Sequence, residues 1–337
     1  MASSWFDCHW KIVSWKLREH GGIRLVNLVR NENMKIYRRA RTWIIVGFMI
    51  AMVLFVNIIE WHSDRKQAQG GWQAELQQEI QHRNEVLAKP ELSEETRTYN
   101  LQRIALINYH LEKNIPTTDG TMWDGIDTSA EMVLVITVFT IIIAGDILAG
   151  EFSSGTIKLL LIRPANRLKI LIAKYISSLM FGILLLLTLF VVSVAVNGIL
   201  YGFGDLNLPL VEVTYEGIII EKNMVLNLWK TYLLNGVSTI LYVTMAFMIS
   251  SAFRSSTMAI AFSIGAMFAG NILLEALHRF DWSRYLLFAN TDLTQYLDGR
   301  PYQSGMTLSF SIGVLAVYFI VFNLISIFMF TRRDVAA

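Results

Sequence analysis

Charged side chains interrupt an otherwise apolar part of this chain, at the junction of two long hydrophobic runs. They lie in the stretch GDILAGEFSSGTIKLLLIRPANRLKILIAK, residues 145–174, and are Asp146, Glu151, Lys158, Arg163, Arg167, Lys169 and Lys174. Charges of both signs at such a junction are suited to ion pairing and to holding a partner surface. We therefore interpret this stretch as a polar elbow between two membrane spans.

Other chemistry-bearing residues do not form recognisable sites. The single cysteine, Cys8, excludes an intrachain disulfide and a thiolate metal cluster. The histidines form no HExxH or HxxxH pair, so we predict no metal site; they are His9, His20, His62, His82, His110 and His278. No GxxxxGK[ST] loop occurs, so the chain is not expected to bind ATP itself or to be an enzyme by itself.

Two isolated acidic signals, the motif at residues 202–205 and Glu275, do not by themselves define a functional site. Residues 202–205 spell GxGD, as in aspartyl intramembrane proteases, but this motif falls in a predicted outer loop and lacks a matching second aspartate. The nearest candidate, Asp146, belongs to the opposite membrane face, so we reject catalysis. Glu275, near the outer end of a predicted span, is either a substrate or ion contact or a carboxylate that reaches the interface.

Composition places the chain among integral membrane proteins. Apolar residues make up 54% and charged residues 17%, against about 25% charged residues in soluble domains. Residues 1–41 carry nine basic and three acidic residues, an excess that indicates the cytoplasmic side. Apolar residues at helical spacing within 1–41 predict interfacial helices, and a disordered basic tail is the alternative for residues 1–20.

The expected fold class is an all-α integral membrane protein with six transmembrane helices and both termini in the cytoplasm. The predicted spans are 42–61, 128–148, 170–201, 228–253, 257–277 and 308–330. Between spans one and two, residues 62–127 predict an extracellular helical hairpin, with Ser93 as a helix cap. Further predicted segments are a cytoplasmic coupling loop at 149–169, an extracellular loop at 202–227 with a weak β-hairpin signal, an extracellular or re-entrant segment at 278–306, and a cytoplasmic tail at 331–337.

Two charges inside the predicted spans have two interpretations each. Asp146 is near the inner end of its span, where a carboxylate costs less than at the centre, so it is either a solvated helix end or a functional contact. Lys174 lies one turn into the next span. It either reaches back to the interface along its aliphatic stem or makes an intramembrane polar contact.

The elbow resembles the coupling-helix region of type-2 ATP-binding-cassette (ABC) export permeases. The resemblance rests on Glu151, on the run GTIKLL at 155–160, on Arg163-Pro164, and on Arg167 and Lys174. The basic segment before the first span, the six-span plan and the aromatic stretch before the last span are similar too. The large first external loop departs from compact members and indicates a subgroup.

This resemblance implies a plasma-membrane exporter permease that forms a dimer, expected to be a homodimer, and binds two copies of a separate ATPase. ATP and Mg would bind that ATPase, and no cofactor is expected in this chain. The residues that would seat on the ATPase are Glu151, Gly155, Thr156, Lys158, Arg163, Pro164 and Arg167. The expected cargo is an amphipathic molecule such as an antimicrobial peptide or antibiotic, with lipid or sodium export as alternatives.

A second hypothesis of a different class is a membrane sensor or scaffold that binds a ligand through the external hairpin without an ATPase. Either hypothesis has the lipid bilayer as a partner, and neither implies nucleic acid. Recovery of an ATPase subunit with the purified chain separates them.

Overall fold

The computed structural model describes residues 25–67, 71–89, 91–157, 166–204, 206–214, 217–297, 299 and 301–332. The predictions made for residues 1–20, Lys158, Arg163, Pro164 and Asp205 lie outside this described part. Within it, the chain is helical except for one small sheet and the connecting turns.

The helices are, in chain order, α1 (Leu25–Tyr37), α2 (Ala40–Gln67), α3 (Trp72–Leu87), α4 (Glu94–Lys113), α5 (Met122–Glu131), α6 (Val133–Ser153), α7 (Arg167–Tyr201), α8 (Met224–Ala252), α9 (Ser256–Leu277), α10 (Leu287–Thr291) and α11 (Leu308–Arg332). Short 3₁₀ helices at Asp281–Tyr285 and Thr294–Tyr296 flank α10. Six helical stretches in the described residues are long and apolar enough to cross a membrane: α2, α5 with α6, α7, α8, α9 and α11.

The second apolar stretch begins earlier than predicted and consists of two helices. Thr121 caps α5, because its hydroxyl accepts a hydrogen bond from the Trp123 amide at 3.3 Å. Helix α5 ends at Glu131, and α6 starts after the single residue Met132. The span predicted at 128–148 therefore extends over Met122–Ser153.

A two-stranded antiparallel sheet corrects the all-α expectation. Strand β1 (Pro209–Val213) pairs with β2 (Ile219–Asn223), and Val211 lies opposite Glu221. The weak alternation of apolar residues in this loop was the signal for it. Tyr109 of α4 donates a 2.9 Å hydrogen bond to Glu221, so the sheet is joined to the α3–α4 hairpin.

The α3–α4 hairpin has the cap that the sequence predicted. The Ser93 hydroxyl accepts a 3.2 Å hydrogen bond from the Thr96 amide and begins α4. Asn114 ends α4 in the left-handed conformation, with φ 52°, which is common at helix C-termini. The hairpin is thus a defined helical unit.

Helix α6 lies at the centre of the bundle and packs against α7, α8 and α9. It is the most buried of the six apolar stretches described, and α11 is the least buried. Small residues on α6 allow close approach: a Cβ atom added at Gly145 would lie 3.0 Å from the Ile260 side chain of α9. The central position means that a displacement of α6 must move its neighbours.

Candidate functional site: a buried ionic network between α1, α6 and α7

Helix α1 places two charged residues against the bundle. Leu28, Glu32 and Ile36 are buried at four-residue spacing, so one face of α1 packs on α7. The helix that the sequence predicted at the membrane interface thus packs on the bundle through one face, and its other residues are partly or fully exposed. Lys35 lies one turn beyond Glu32 on a neighbouring face and is partly exposed.

Four side chains from α1, α6 and α7 form a closed ionic network. Lys174 Nζ lies 2.8 Å from Glu32 Oε2 and 3.0 Å from Glu151 Oε1. Lys35 Nζ lies 2.9 Å from Glu32 Oε1 and 3.0 Å from the same Glu151 oxygen. Each cation bridges both carboxylates, so charges of opposite sign alternate around the ring and balance.

Lys174 is the most enclosed member of this network. Its side chain is 1% exposed, against 42% for Lys35. Lys174 thus makes polar contacts inside the protein, as its second interpretation predicted, and its side chain does not extend to the protein surface. A buried ammonium needs compensating charges and hydrogen bonds, and two carboxylates supply them here. Loss of either carboxylate would leave this ammonium with a single anionic partner.

The network shifts the pKa values of the two α1 residues in opposite directions. Burial alone would raise the pKa of the Glu32 carboxyl, but attraction and hydrogen bonds from Lys174 and Lys35 outweigh burial and lower that pKa. Burial alone would lower the pKa of Lys35, but its contacts with Glu32 and Glu151 raise that pKa. Both groups are consequently charged at neutral pH.

Asp146 forms a second ionic contact one turn and a half before Glu151 on α6. Arg39 Nη1 lies 2.7 Å from Asp146 Oδ2, and Arg41 and the Ser256 hydroxyl also donate to this carboxylate. The Asp146 side chain is 10% exposed, so it is not a solvated helix end. It joins α6 to the α1–α2 junction and to the start of α9.

The turn after α6 is attached to the network through Glu151. The hydroxyl of Thr156 donates to Glu151 Oε2. Ser154 donates to the Gly150 carbonyl at 2.7 Å and closes α6. Gly155 has φ +71°, a left-handed conformation that favours glycine, and no atom would contact an added Cβ atom within 4 Å.

The remaining predicted site residues are separate from the network. Arg167, at the start of α7, donates a 3.4 Å hydrogen bond to the Thr331 carbonyl near the end of α11. Glu275 is exposed on α9 and makes no hydrogen bond or ion pair with another described residue. The structure thus brings together Glu151, Thr156 and Lys174, places Asp146 beside them, and leaves Glu275 elsewhere.

The ionic contacts connect several helices of the bundle. Among the described residues no group of three or more His, Cys, Asp or Glu side chains is placed to hold a metal ion. The ionic contacts join α1, the start of α2, α6, α7 and α9 at one end of the bundle. A force on the turn after Glu151 would therefore act on several helices together.

Sequence reasoning missed the α1 partners of this site. Glu32 and Lys35 were seen only as part of a basic segment, and Arg39 and Arg41 only as markers of topology. The available signal was Lys174 itself, since a cation inside an apolar run requires a partner. Glu32 is the acid within the basic segment 25–41 and was the natural candidate.

Comparisons with known proteins give one family and two relatives. A family profile described as "Protein of unknown function (DUF2705)" matches residues 97–336. The chain belongs to this family. It is similar to "Uncharacterized protein YhcI" of Bacillus subtilis (strain 168), with 42% identity over 93% of this chain and 100% of that protein. It is also similar to "Uncharacterized membrane protein YdbK" of the same strain, with 32% identity over 65% of this chain and 85% of that protein.

The match to YhcI includes most of the chain outside the family profile, which begins at residue 97. This DUF2705 chain is a multi-pass membrane protein, because it has six apolar helices long enough to cross a membrane and is similar to a relative named a membrane protein.

Proposed function

We propose that this DUF2705 protein is the membrane-spanning permease subunit of an ATP-driven ABC exporter. Two copies would form the translocation unit, and each would bind a separate ATPase at the turn that follows α6. The cargo would be an amphipathic molecule such as an antimicrobial peptide or antibiotic. In this proposal the ionic network and both termini face the cytoplasm.

The observation that carries the proposal is that Glu151 joins α6 to α1 and α7. Glu151 lies in the last turn of α6, contacts Lys174 of α7 and Lys35 of α1, and accepts a hydrogen bond from Thr156 in the following turn. The residues of the resemblance to ABC permeases begin at this same glutamate. A partner that pushes the turn would move α1, α6 and α7 as one unit, as rigid-body switching requires.

Burial of the network supports a transmitting role. Ion pairs on a protein surface contribute little to stability, whereas removing one member of a buried ion pair strongly destabilises a protein. Because Lys174 is enclosed and bridges α1 to α6, the three helices are held in one register. A movement of the turn after α6 would then displace these helices as well, and would not be confined to the turn.

Co-purification with the ATPase tests the proposal. The full chain is extracted in mild detergent with a tag, and a single ATP-binding-cassette ATPase is expected at one copy per chain. The variant Thr156→Val removes the hydroxyl that contacts Glu151 and should reduce cargo-stimulated ATP hydrolysis severalfold while the complex still assembles. Glu112→Gln, at an exposed position of α4, is the matched control and should retain full stimulation.

Two outcomes would refute this function. The first is recovery of the chain without any ATPase under conditions that preserve the folded state, which favours a sensor or scaffold built on the α3–α4 hairpin. The second is full ATP-coupled export by Thr156→Val together with Glu151→Gln, which would remove the turn after α6 from coupling.

A further inference from the structure

A cavity of about 470 Å³ lies at the end of the bundle opposite to the ionic network. Its walls are formed by α5, α6, α8 and α9, by the segment around α10 and by β1. Along α6, the lining residues Val133 and Thr137 precede Glu151 of the network by 18 and 14 residues, or about 27 and 21 Å, which is most of the thickness of a bilayer's hydrocarbon core. Its volume is within the usual range for sites that bind small organic molecules.

One wall of the cavity is a polar stripe on an apolar helix. The stripe consists of five residues of α8 at spacings of four, four, three and four: Asn227, Thr231, Asn235, Ser238 and Tyr242. The side-chain amides of Asn227 and Asn235 make no hydrogen bond to any described residue. Polar groups are costly in a membrane span, and they commonly mark a path or site for a polar molecule.

The cavity is acidic. Its lining contains five carboxylates and, among the described lining residues, no lysine, arginine or histidine: Asp124, Asp127, Glu131, Glu212 and Asp292. Lys222 pairs with Glu212 from outside the lining. The remaining excess of negative charge, in a concave site with low-dielectric walls, attracts cations.

The lining also contains apolar surface, from Val133 and Leu134 of α6, Met224 of α8 and Leu297. A ligand that satisfies all three kinds of wall must carry a positive charge, hydrogen-bonding groups and an apolar body. An ammonium or guanidinium group can form charge-assisted hydrogen bonds with the carboxylates, while its apolar part covers the aliphatic side chains.

We propose that this cavity binds amphipathic organic cations and is the cargo site of the exporter. The cargo assignment rests on the function proposed above, whereas binding of the cation is a property of this chain alone. The α8 stripe would provide hydrogen bonds along the cavity, and Glu131 and Asp292 would set the preference for positive charge.

Binding of two dyes to the full chain in phosphatidylcholine nanodiscs tests this proposal. Rhodamine 6G is a cation and fluorescein an anion built on the same ring system, and fluorescence anisotropy gives both dissociation constants. Saturable binding of rhodamine 6G is expected at one site per chain, with fluorescein at least tenfold weaker. Glu131→Gln and Asn235→Leu should each weaken rhodamine 6G binding about fivefold to tenfold, and Glu112→Gln should not.

The proposal is overturned by equal affinity for the two dyes, by binding that does not saturate, or by unchanged affinity in both cavity variants. Thermal unfolding of each variant shows whether it is folded, and Glu131→Gln keeps side-chain size if Asn235→Leu does not fold. The experiments distinguish a failure of the exporter proposal from a failure of the cavity proposal. Cation binding without ATPase recovery rejects the exporter alone, and an ATP-coupled chain without cation preference rejects the cavity alone.

Discussion

Replacing Lys174 by methionine tests whether the ionic network holds α1 to the bundle. Methionine keeps much of the aliphatic volume but removes the ammonium group that bridges Glu32 and Glu151. Both carboxylate oxygens lie within 3.0 Å of Lys174 Nζ, so they are no more than about 6 Å apart. In the variant these two carboxylates face each other with only Lys35 to balance them.

The expected destabilisation can be worked out in two ways. Two like charges about 6 Å apart repel by ~3 kcal/mol at an effective dielectric constant of ~20. Removing one member of a buried ion pair costs ~3–5 kcal/mol in other proteins. We therefore expect Lys174→Met to lower the free energy of unfolding by about 3 kcal/mol or more. Lys35→Met should cost less than ~1 kcal/mol, because the Lys35 side chain is 42% exposed.

Unfolding in mixed micelles of dodecyl maltoside and sodium dodecyl sulfate, followed by tryptophan fluorescence, measures these differences. A second substitution, Glu32→Gln, makes the test specific to the network. In the wild-type background it should destabilise the chain, because Lys174 loses a partner. In the Lys174→Met background it should stabilise the chain, because it removes one of two facing carboxylates. This change of sign is a coupling between neighbours that independent sites do not show.

Equal decreases in the free energy of unfolding for Lys174→Met and Lys35→Met would refute the reasoning. The burial of Lys174 would then have no effect on the contribution of its ion pairs. Additive effects of Glu32→Gln and Lys174→Met would also refute it, because the two residues would not share a network.

The remaining predictions concern pH, close packing and local capping. The lowered pKa of Glu32 gives a stabilisation that is present above its ordinary value of 4.5 and is lost as pH falls through the lowered pKa. The raised pKa of Lys35 gives a stabilisation that is fully present below 10.5 and is lost as pH rises through the raised pKa. The protection factors of the α1 amides, which remove the intrinsic pH dependence of amide exchange, should therefore fall at these two extremes. Glu32→Gln should reduce the acid step in the same measurement. Gly125→Ala should destabilise the chain by ~1–3 kcal/mol in micelle unfolding, because its Cβ atom would lie 2.0 Å from Asn197 Oδ1. Gly47→Ala, where nothing lies within 4 Å, should be neutral or stabilising, and a similar loss at both glycines would contradict this packing argument. Ser93→Ala should cost ~1 kcal/mol and accelerate exchange only near the start of α4, and unchanged exchange there would exclude the cap.

Much of the helical framework was predictable because membrane spans have a strong sequence signal. A run of about 20 apolar residues has few stable arrangements in a membrane, so six such helices were expected and are present. Their ends were less predictable. Residues 122–127 were assigned to the external segment 62–127, yet Asp124 and Asp127 line a cavity at the start of an apolar stretch.

The partners within the candidate site were not predictable, because they come from distant parts of the chain. Lys174 and Glu32 are 142 residues apart and meet only when α1 packs on α7. Local patterns report which face of a helix is apolar, but they do not report which charged groups share that face in the folded state. A charged residue within an apolar run predicts a partner of opposite charge. The packing of the helices determines which residue that partner is.

The contrast between α6 and α11 bears on how this family can vary. Helix α6 carries the ionic network at one end and lines the acidic cavity at the other, and it is surrounded by α7, α8 and α9. Helix α11 is mostly exposed along its length but packs against α8. Ser311 near its start donates to Asn290, and the Thr331 carbonyl near its end accepts from Arg167. Segments exchanged between relatives should accordingly be tolerated better at α11 than at α6. An exchanged α6 would need matching residues on α1 and α7 for the ionic network and on α8 for the cavity.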